Sequence, residues 1–172
     1  MDKITSIMDI EEELRVSNAA LKVISQGVVI SGPDRLIIST NAAFANITQY
    51  SMDEILHINC KFLQGPLTNQ DTVKVMHDTL QSGNEFIGEV LNYRKDGTPF
   101  WNELSITPIR GDKGEITHFV GITRDITDRK NLEEELTKQL KETTRLNKLM
   151  VDRELKMIEL KKEIATLKGV AE

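Results

Sequence analysis

The feature that most constrains the fold is a long segment near the C-terminus that lacks helix-breaking residues. After Asp128 the chain contains neither glycine nor proline until Gly169. Its apolar residues follow a heptad pattern, with alternating spacings of four and three residues over about five heptads. Eight of the eleven positions of this pattern are apolar. The positions, called the heptad seam below, are Leu132, Leu136, Gln139, Thr143, Leu146, Met150, Arg153, Met157, Leu160, Ile164 and Leu167.

The heptad seam predicts one long helix over residues 129–172. At 1.5 Å per residue the seam spans roughly 54 Å, too long to pack only on its own small domain. We therefore predict a parallel coiled-coil homodimer through residues 130–168, in which polar seam residues weaken the interface locally and set its register. The alternative is a free, charged, solvated helix. A second line of apolar residues on the same helix leaves the register of the coiled coil open. This line runs through Leu140, Val151, Leu155 and Ile158.

Glycine-containing turns divide the middle of the chain into strands. The segments 95–97 and 111–114 each lie between apolar, β-rich runs, as hairpin turns do. The predicted strands are 28–30 at the start, then Phe86–Arg94, Phe100–Arg110 and Ile116–Thr123. The predicted short helices between them are Asn41–Thr48, Met52–Ile58 and Asp71–Gln81. This order predicts an α+β domain at residues 27–128, with its helices on one face of an antiparallel sheet.

The N-terminal segment and the charge limit the classes of partner. Residues 1–26 are predicted to form an amphipathic helix, and their acidic start lacks the apolar stretch of a signal peptide. No run approaches the roughly 20 apolar residues that cross a bilayer. The formal net charge of -5 argues against general nucleic-acid binding, which usually needs a basic patch. The simplest prediction is a cytoplasmic protein without a membrane or nucleic-acid partner.

Cys60 is the only cysteine of the 172 residues, so a disulfide within the chain and a cysteine-cluster metal site are both excluded. A lone cysteine is most often an inert buried thiol. The neighbours of Cys60 indicate otherwise, because residues 59–66 read Asn-Cys-Lys-Phe-Leu-Gln-Gly-Pro. This segment resembles the flavin-binding signature of LOV (light-oxygen-voltage) domains, which usually reads Asn-Cys-Arg-Phe-Leu-Gln-Gly. LOV domains are blue-light receptors of the PAS superfamily.

The resemblance continues in order through residues 27–128. Its other matching segments are Asn92–Gly97, Phe100–Asn102, Phe119–Ile122 and Asp125–Thr127. It implies a PAS fold with a five-stranded antiparallel sheet, a bound flavin, and a photoactive Cys60. In such domains blue light makes the cysteine sulfur bond to the flavin C(4a) carbon while N(5) gains a proton, and the bond breaks again thermally. No substrate is turned over, and the signal would pass through the coiled coil to an output domain or a partner such as a histidine kinase.

The predicted flavin-binding residues follow from this resemblance and from side-chain chemistry. A flavin's pyrimidine edge alternates acceptors and donors, and a side-chain amide offers one of each, which suits Gln64, Asn92 and Asn102. Asparagine is uncommon inside strands, so two on successive strands favour a ligand. The apolar end of the ring needs apolar neighbours. The predicted apolar neighbours are Leu63, Leu104, Ile106 and Phe119, and the signature and the last strand add Asn59, Gly121 and Thr123.

Two departures from the family pattern concern the phosphate and the signal. Lys61 replaces the arginine after the cysteine, and His77, with Lys74 one turn earlier, aligns with a second phosphate-binding arginine. Lysine is a point charge and histidine is partly charged, whereas arginine binds phosphate through two parallel hydrogen bonds. FMN is therefore predicted, with riboflavin or FAD less firmly excluded. Thr123 occupies the position of a family glutamine that senses N(5) protonation, and its shorter side chain puts that relay in doubt.

Two other functions remain open on the sequence alone. The chain could be a light-insensitive PAS module for interaction or ligand sensing, in which Cys60 is incidental. It could also be a flavin-dependent enzyme, although the sequence contains no nicotinamide fingerprint and no nucleophile–base pair. A yellow protein whose colour bleaches reversibly under blue light would separate the photoreceptor from both.

Overall fold

A computed structural model describes residues 25–169, with side-chain burial given to residue 164. The predicted N-terminal helix over residues 1–26 lies outside the described residues except for its last two. Within the described part, the chain divides into one compact unit that ends at Thr127 and a second that begins at Asp128. The predicted division at residues 27–128 and 129–172 stays a prediction.

The first unit is built on a five-stranded antiparallel sheet, which confirms the predicted α+β fold. The strands are β1 (Gly27–Ser31), β2 (Ile37–Thr40), β3 (Phe86–Tyr93), β4 (Pro99–Arg110) and β5 (Ile116–Asp125). Their order across the sheet is β2-β1-β5-β4-β3, so the first and last strands of the unit are neighbours at its centre. Pairing of β1 with β5 sets Val29 opposite Gly121 and Gly27 opposite Thr123.

The two hairpins that join β3, β4 and β5 turn at the predicted glycines. Gly97 and Gly114 have φ angles of 84° and 82°, a left-handed conformation that glycine adopts without steric cost. A Cβ atom at either position would meet no atom within 4 Å, so the backbone angle and not space requires glycine there.

Short helices connect β2 to β3. They are α1 (Ala42–Thr48), α2 (Met52–Ile55), the 3₁₀ helix η1 (Cys60–Leu63) and α3 (Gln70–Gln81). Asn41 caps α1 by accepting from the Phe44 amide at 3.0 Å, and Asn69 caps α3 by accepting from the Thr72 amide at 3.0 Å. Two clusters of buried apolar side chains form the core, one around Phe44 and the other around Phe86.

The predicted helix Met52–Ile58 was wrong at its C-terminal end. The structure ends α2 at Ile55, and His57 adopts a positive φ of 61°. The reason is tertiary, because His57 N–H donates to the Ile37 carbonyl at 2.9 Å and Ile37 N–H donates to the Ile58 carbonyl at 3.0 Å. Leu56 N–H still donates to the Met52 carbonyl at 3.0 Å, but His57 N–H bonds to β2 instead of continuing the helix. The bonds to β2 set the approach of the chain to Cys60.

The second unit is a single helix, α4 (Thr127–Gly169). The seam side chains from Leu132 to Ile164 are exposed, with Leu132, Leu146 and Leu160 showing 73%, 60% and 42% of their surface. An apolar stripe of this length on an isolated helix leaves its hydrophobic face without a partner. No helix within residues 25–169 combines the length and apolar character needed to cross a membrane.

Candidate functional site

A cavity lies between the helices α1, η1 and α3 and one face of the sheet. Its volume is about 140 Å³. Every predicted site residue except Lys74 lines it. Those residues are Cys60 with Asn59, Lys61, Leu63, Gln64, His77, Asn92, Asn102, Leu104, Ile106, Phe119, Gly121 and Thr123. The structure thus brings together residues that are up to 64 positions apart in the sequence.

Cys60 is the first residue of η1 and is held by the side chain of Asn59. The Asn59 Oδ1 accepts from the Lys61 amide at 3.1 Å, and its Nδ2 donates to the Arg35 carbonyl at 3.1 Å. The Asn59 amide therefore ties the start of η1 to the turn between β1 and β2. This gives Asn59 a positioning role next to Cys60, in addition to its place on the cavity.

The environment of Cys60 keeps its thiol protonated. The side chain packs against the buried cluster of Val29, Ile37, Phe44 and Leu63. Burial disfavours the thiolate and raises the pKa of Cys60 to about 11. At neutral pH the residue is a neutral S–H group on an apolar cavity, as expected for a thiol that reacts only when a neighbour is activated.

Two buried amides form the polar edge of the cavity. Asn92 and Asn102 are 4% and 1% exposed, and the Asn102 Nδ2 donates to the Asn92 Oδ1 at 2.9 Å. Among the described residues, no group donates to the Asn102 Oδ1, although this atom is fully buried. Leaving a buried acceptor unsatisfied costs roughly 1–3 kcal/mol. A bound molecule with an N–H or O–H group at this position would remove that cost.

The inner face of β5 forms another side of the cavity. Phe119, Gly121 and Thr123 are buried and alternate with more exposed residues, so they share one face as predicted. A Cβ atom at Gly121 would come within 2.6 Å of the Val29 Cγ1, so a side chain there would push the opposite residue of β1 out of place. Thr123 is 1% exposed and lies in register with Leu104 on β4.

Cationic side chains on the cavity differ from the predicted set. Lys61 and His77 line it, and the His77 Nδ1 lies 3.5 Å from a carboxylate oxygen of Asp78. Lys74 is exposed on α3 and does not line the cavity, so the structure gives no support to its predicted role. Arg35 lines the cavity and was missed, because nothing in its local sequence marks a turn residue as part of a binding site.

Sequence reasoning also missed the contribution of α3 to the apolar lining. Val73, Met76 and Leu80 line the cavity, and their spacings of three and four residues place them on one helix face. That periodicity was available in the sequence and would have identified them. Val29 on β1, Val90 on β3 and Phe44 on α1 complete the apolar lining.

The exit from β5 is fixed by a hydrogen-bonded cluster. The Asp125 Oδ1 accepts from the backbone N–H and hydroxyl of Thr127 at 2.9 and 2.6 Å, and the Arg94 Nη2 donates to its Oδ2. Burial favours the neutral carboxyl, but the bonds from Thr127 and Arg94 outweigh it and lower the pKa of Asp125. Since Asp125 pairs with Asn102 in the sheet, this cluster adjoins the polar edge of the cavity.

These groups fit a flavin. The unsatisfied Asn102 Oδ1 needs a donor, the amide of Asn92 lies beside it, and most of the remaining lining is apolar. A flavin ring offers a donor and acceptors on one edge and an apolar opposite end, and the cationic residues suit a phosphate. Asn92 and Asn102 would hold the polar edge, and Cys60 lies on the same cavity.

The fold and the cavity together define the class of protein. The PAS domain family model matches residues 25–128, and the chain belongs to that family. Within it, comparisons with known proteins confirm the predicted resemblance to LOV domains.

Three similar proteins carry this resemblance. A blue-light-activated histidine kinase of Brucella anthropi is 40% identical over 67% of this chain. A blue-light photoreceptor of Listeria monocytogenes is 41% identical over 74% of this chain. The solved structure of an RNA-binding light-oxygen-voltage receptor has a TM-score of 0.66 and 27% identity over 73% of this chain, and the chain covers 36% of that structure. The chain spans only 24% of the Brucella protein and 51% of the Listeria protein.

Proposed function

We propose that this protein is a blue-light sensor that binds a flavin and bonds it reversibly through Cys60. The observation that carries the proposal is the sharing of one cavity by a protonated lone thiol and a buried amide pair with an unsatisfied acceptor. Relatives named as blue-light receptors support it. FMN is the proposed flavin.

Each group of the cavity has a defined task in this function. A bound flavin supplies the absorption of blue light and an electrophilic ring carbon. Cys60 holds a proton on sulfur in the dark and supplies the sulfur that forms the light-dependent bond. Asn92 and Asn102 orient the polar edge of the ring, and the apolar lining excludes water that would compete for the activated state. The protein acts as a sensory module and turns over no substrate.

The proposal is tested by the absorption spectrum of the purified full chain, recorded in the dark and under blue light. We expect a yellow protein whose visible absorbance falls under blue light and recovers in the dark. A colourless protein that takes up no added flavin would contradict flavin binding. A yellow protein that does not bleach would favour a light-insensitive PAS module, and steady oxidation of an added reductant would favour an enzyme.

We also propose that α4 carries the signal as a parallel homodimer. The exposed apolar stripe of the helix supports this, and the kinase named among the relatives suggests a histidine kinase or similar output partner. The net charge of -5 still argues against general nucleic-acid binding, but a similar solved receptor is RNA-binding, so that prediction needs a direct binding measurement. A cytoplasmic location likewise stays a prediction.

Thr123 is expected to limit the response to light. A conformational change follows only from a group that interacts differently with the dark and lit states. A glutamine amide can exchange its acceptor for its donor, whereas the shorter threonine hydroxyl would need a bridging water. We expect Thr123→Gln to increase, and Thr123→Val to decrease, the light-induced change in backbone hydrogen exchange at residues 126–150.

The comparison requires that all three proteins bleach to the same extent, so that only the relay differs. If the natural protein already responds as strongly as the glutamine variant, Thr123 does not limit the relay. Another group on the cavity, with Asn102 the first candidate, would then carry it.

A further inference from the structure

We propose that Arg35 selects FMN by binding its phosphate, and that it takes over the task of the arginines that Lys61 and His77 replace. This inference rests on the proposed flavin function. It assigns the phosphate contact to the turn between β1 and β2, outside the Cys60 segment and outside α3.

The backbone of Arg35 is fixed next to the Cys60 segment. Its N–H donates to the Gly32 carbonyl at 2.9 Å, and its carbonyl accepts from the Asn59 Nδ2 at 3.1 Å. Its φ of 65° lies in the left-handed region, which is uncommon for a residue other than glycine. Such conformations persist where surrounding contacts enforce them. The Asn59 bond is such a contact, and it holds the turn at the cavity.

The side chain of Arg35 faces the cavity and has donors to spare. Its Cζ lies 5.9 Å from the centre of the Phe119 ring, which is itself buried on the cavity. No ion pair between described residues engages Arg35. The contact with an aromatic face uses none of the five N–H donors of a guanidinium, so the planar fork remains available for an anion.

The other cations on the cavity match a phosphate less well. Lys61 offers a point charge on a flexible stem, and His77 lies 3.5 Å from the Asp78 carboxylate, which offsets its charge. Arg35 is the side chain among the described lining residues that has the geometry for two parallel hydrogen bonds to phosphate oxygens. We infer that Arg35 makes the main phosphate contact and that Lys61 adds to the local positive charge.

The test compares the affinities of the full chain, freed of flavin, for FMN and riboflavin by the quenching of flavin fluorescence. We expect Arg35→Gln to weaken FMN binding about tenfold or more, since a charge-assisted contact is lost. Riboflavin has no phosphate, so its affinity should change by less than about twofold. Arg35→Lys should give an intermediate loss for FMN. The matched control is Arg124→Gln, which removes one positive charge from an exposed residue that does not line the cavity.

The outcomes separate this inference from the function on which it rests. Equal weakening of both flavins in Arg35→Gln would show a structural role and overturn the inference. Unchanged FMN affinity, or an equal loss in Arg124→Gln, would also overturn it. If the natural chain bound neither flavin, the proposed function itself would fail. Added salt should lower the affinity of the natural chain for FMN more than its affinity for riboflavin, because the phosphate contact is partly exposed to screening by salt. A preference for FMN over riboflavin that does not change with salt would contradict the inference.

Discussion

Cys60→Ala is expected to retain its flavin and to lose all light-induced bleaching. Cys60 is the only thiol of the chain and lies on the cavity, so no other residue can form the sulfur bond. The polar contacts to the flavin come from other side chains, so removing one sulfur atom should change flavin affinity only slightly. Dark and lit absorption spectra of the natural and variant proteins measure both effects.

The matched control is Met76→Leu. Met76 places a second sulfur on the cavity, but its thioether has no S–H group and cannot form the same sulfur bond to a flavin. A swap of methionine for leucine nearly conserves volume, so bleaching and recovery should persist. Reversible bleaching in the alanine variant, or its loss in the leucine variant, would show that Cys60 is not the photoactive residue.

The second large effect is expected in the heptad seam. The double variant Leu146→Lys with Leu160→Lys should raise the dissociation constant of the dimer at least a thousandfold. Four leucine side chains would leave the interface of the two protomers, and burial of each is worth about 1.5–3 kcal/mol. Light scattering of the full chain at a series of concentrations measures the change.

The control for charge is Thr137→Lys combined with Thr144→Lys. These residues lie on α4 one position after seam residues, on the outer side of the predicted coiled coil, so they add the same two positive charges outside the seam. The control should remain dimeric. A monomeric natural chain would instead show that α4 is a solvated helix, and equal dissociation in both variants would show an effect of charge alone.

Sequence patterns predicted the parts of the fold that depend on local rules. Alternation along β5 placed Phe119, Gly121 and Thr123 on one face, and the glycines at 97 and 114 marked the hairpins. The two asparagines were found through the resemblance to LOV domains and the chemistry of side-chain amides, and their rarity in strands supported the choice. The structure adds the buried, unsatisfied Oδ1 of Asn102, a property of packing that residue type alone cannot reveal.

Features that depend on tertiary contacts were not predictable in this way. The early end of α2 at Ile55 depends on backbone bonds to Ile37, which lies 18 residues earlier in the sequence. The place of Arg35 on the cavity depends on the Asn59 amide, which is 24 residues away. The register of the proposed coiled coil would be set by the pairing of α4 with a second helix, so the heptad seam of one chain does not determine it.

The raised pKa of Cys60 has a consequence for the durability of the receptor. Peroxides, disulfides and electrophilic metabolites attack thiolates, and the susceptibility of a cysteine follows its thiolate fraction and exposure. With a pKa of about 11, only about one molecule in ten thousand carries the thiolate at pH 7. Oxidation of Cys60, the residue proposed to be photoactive, is therefore expected to be slow. Under the proposed function, the burial that keeps the thiol neutral in the dark should therefore also protect it over repeated cycles of illumination and darkness.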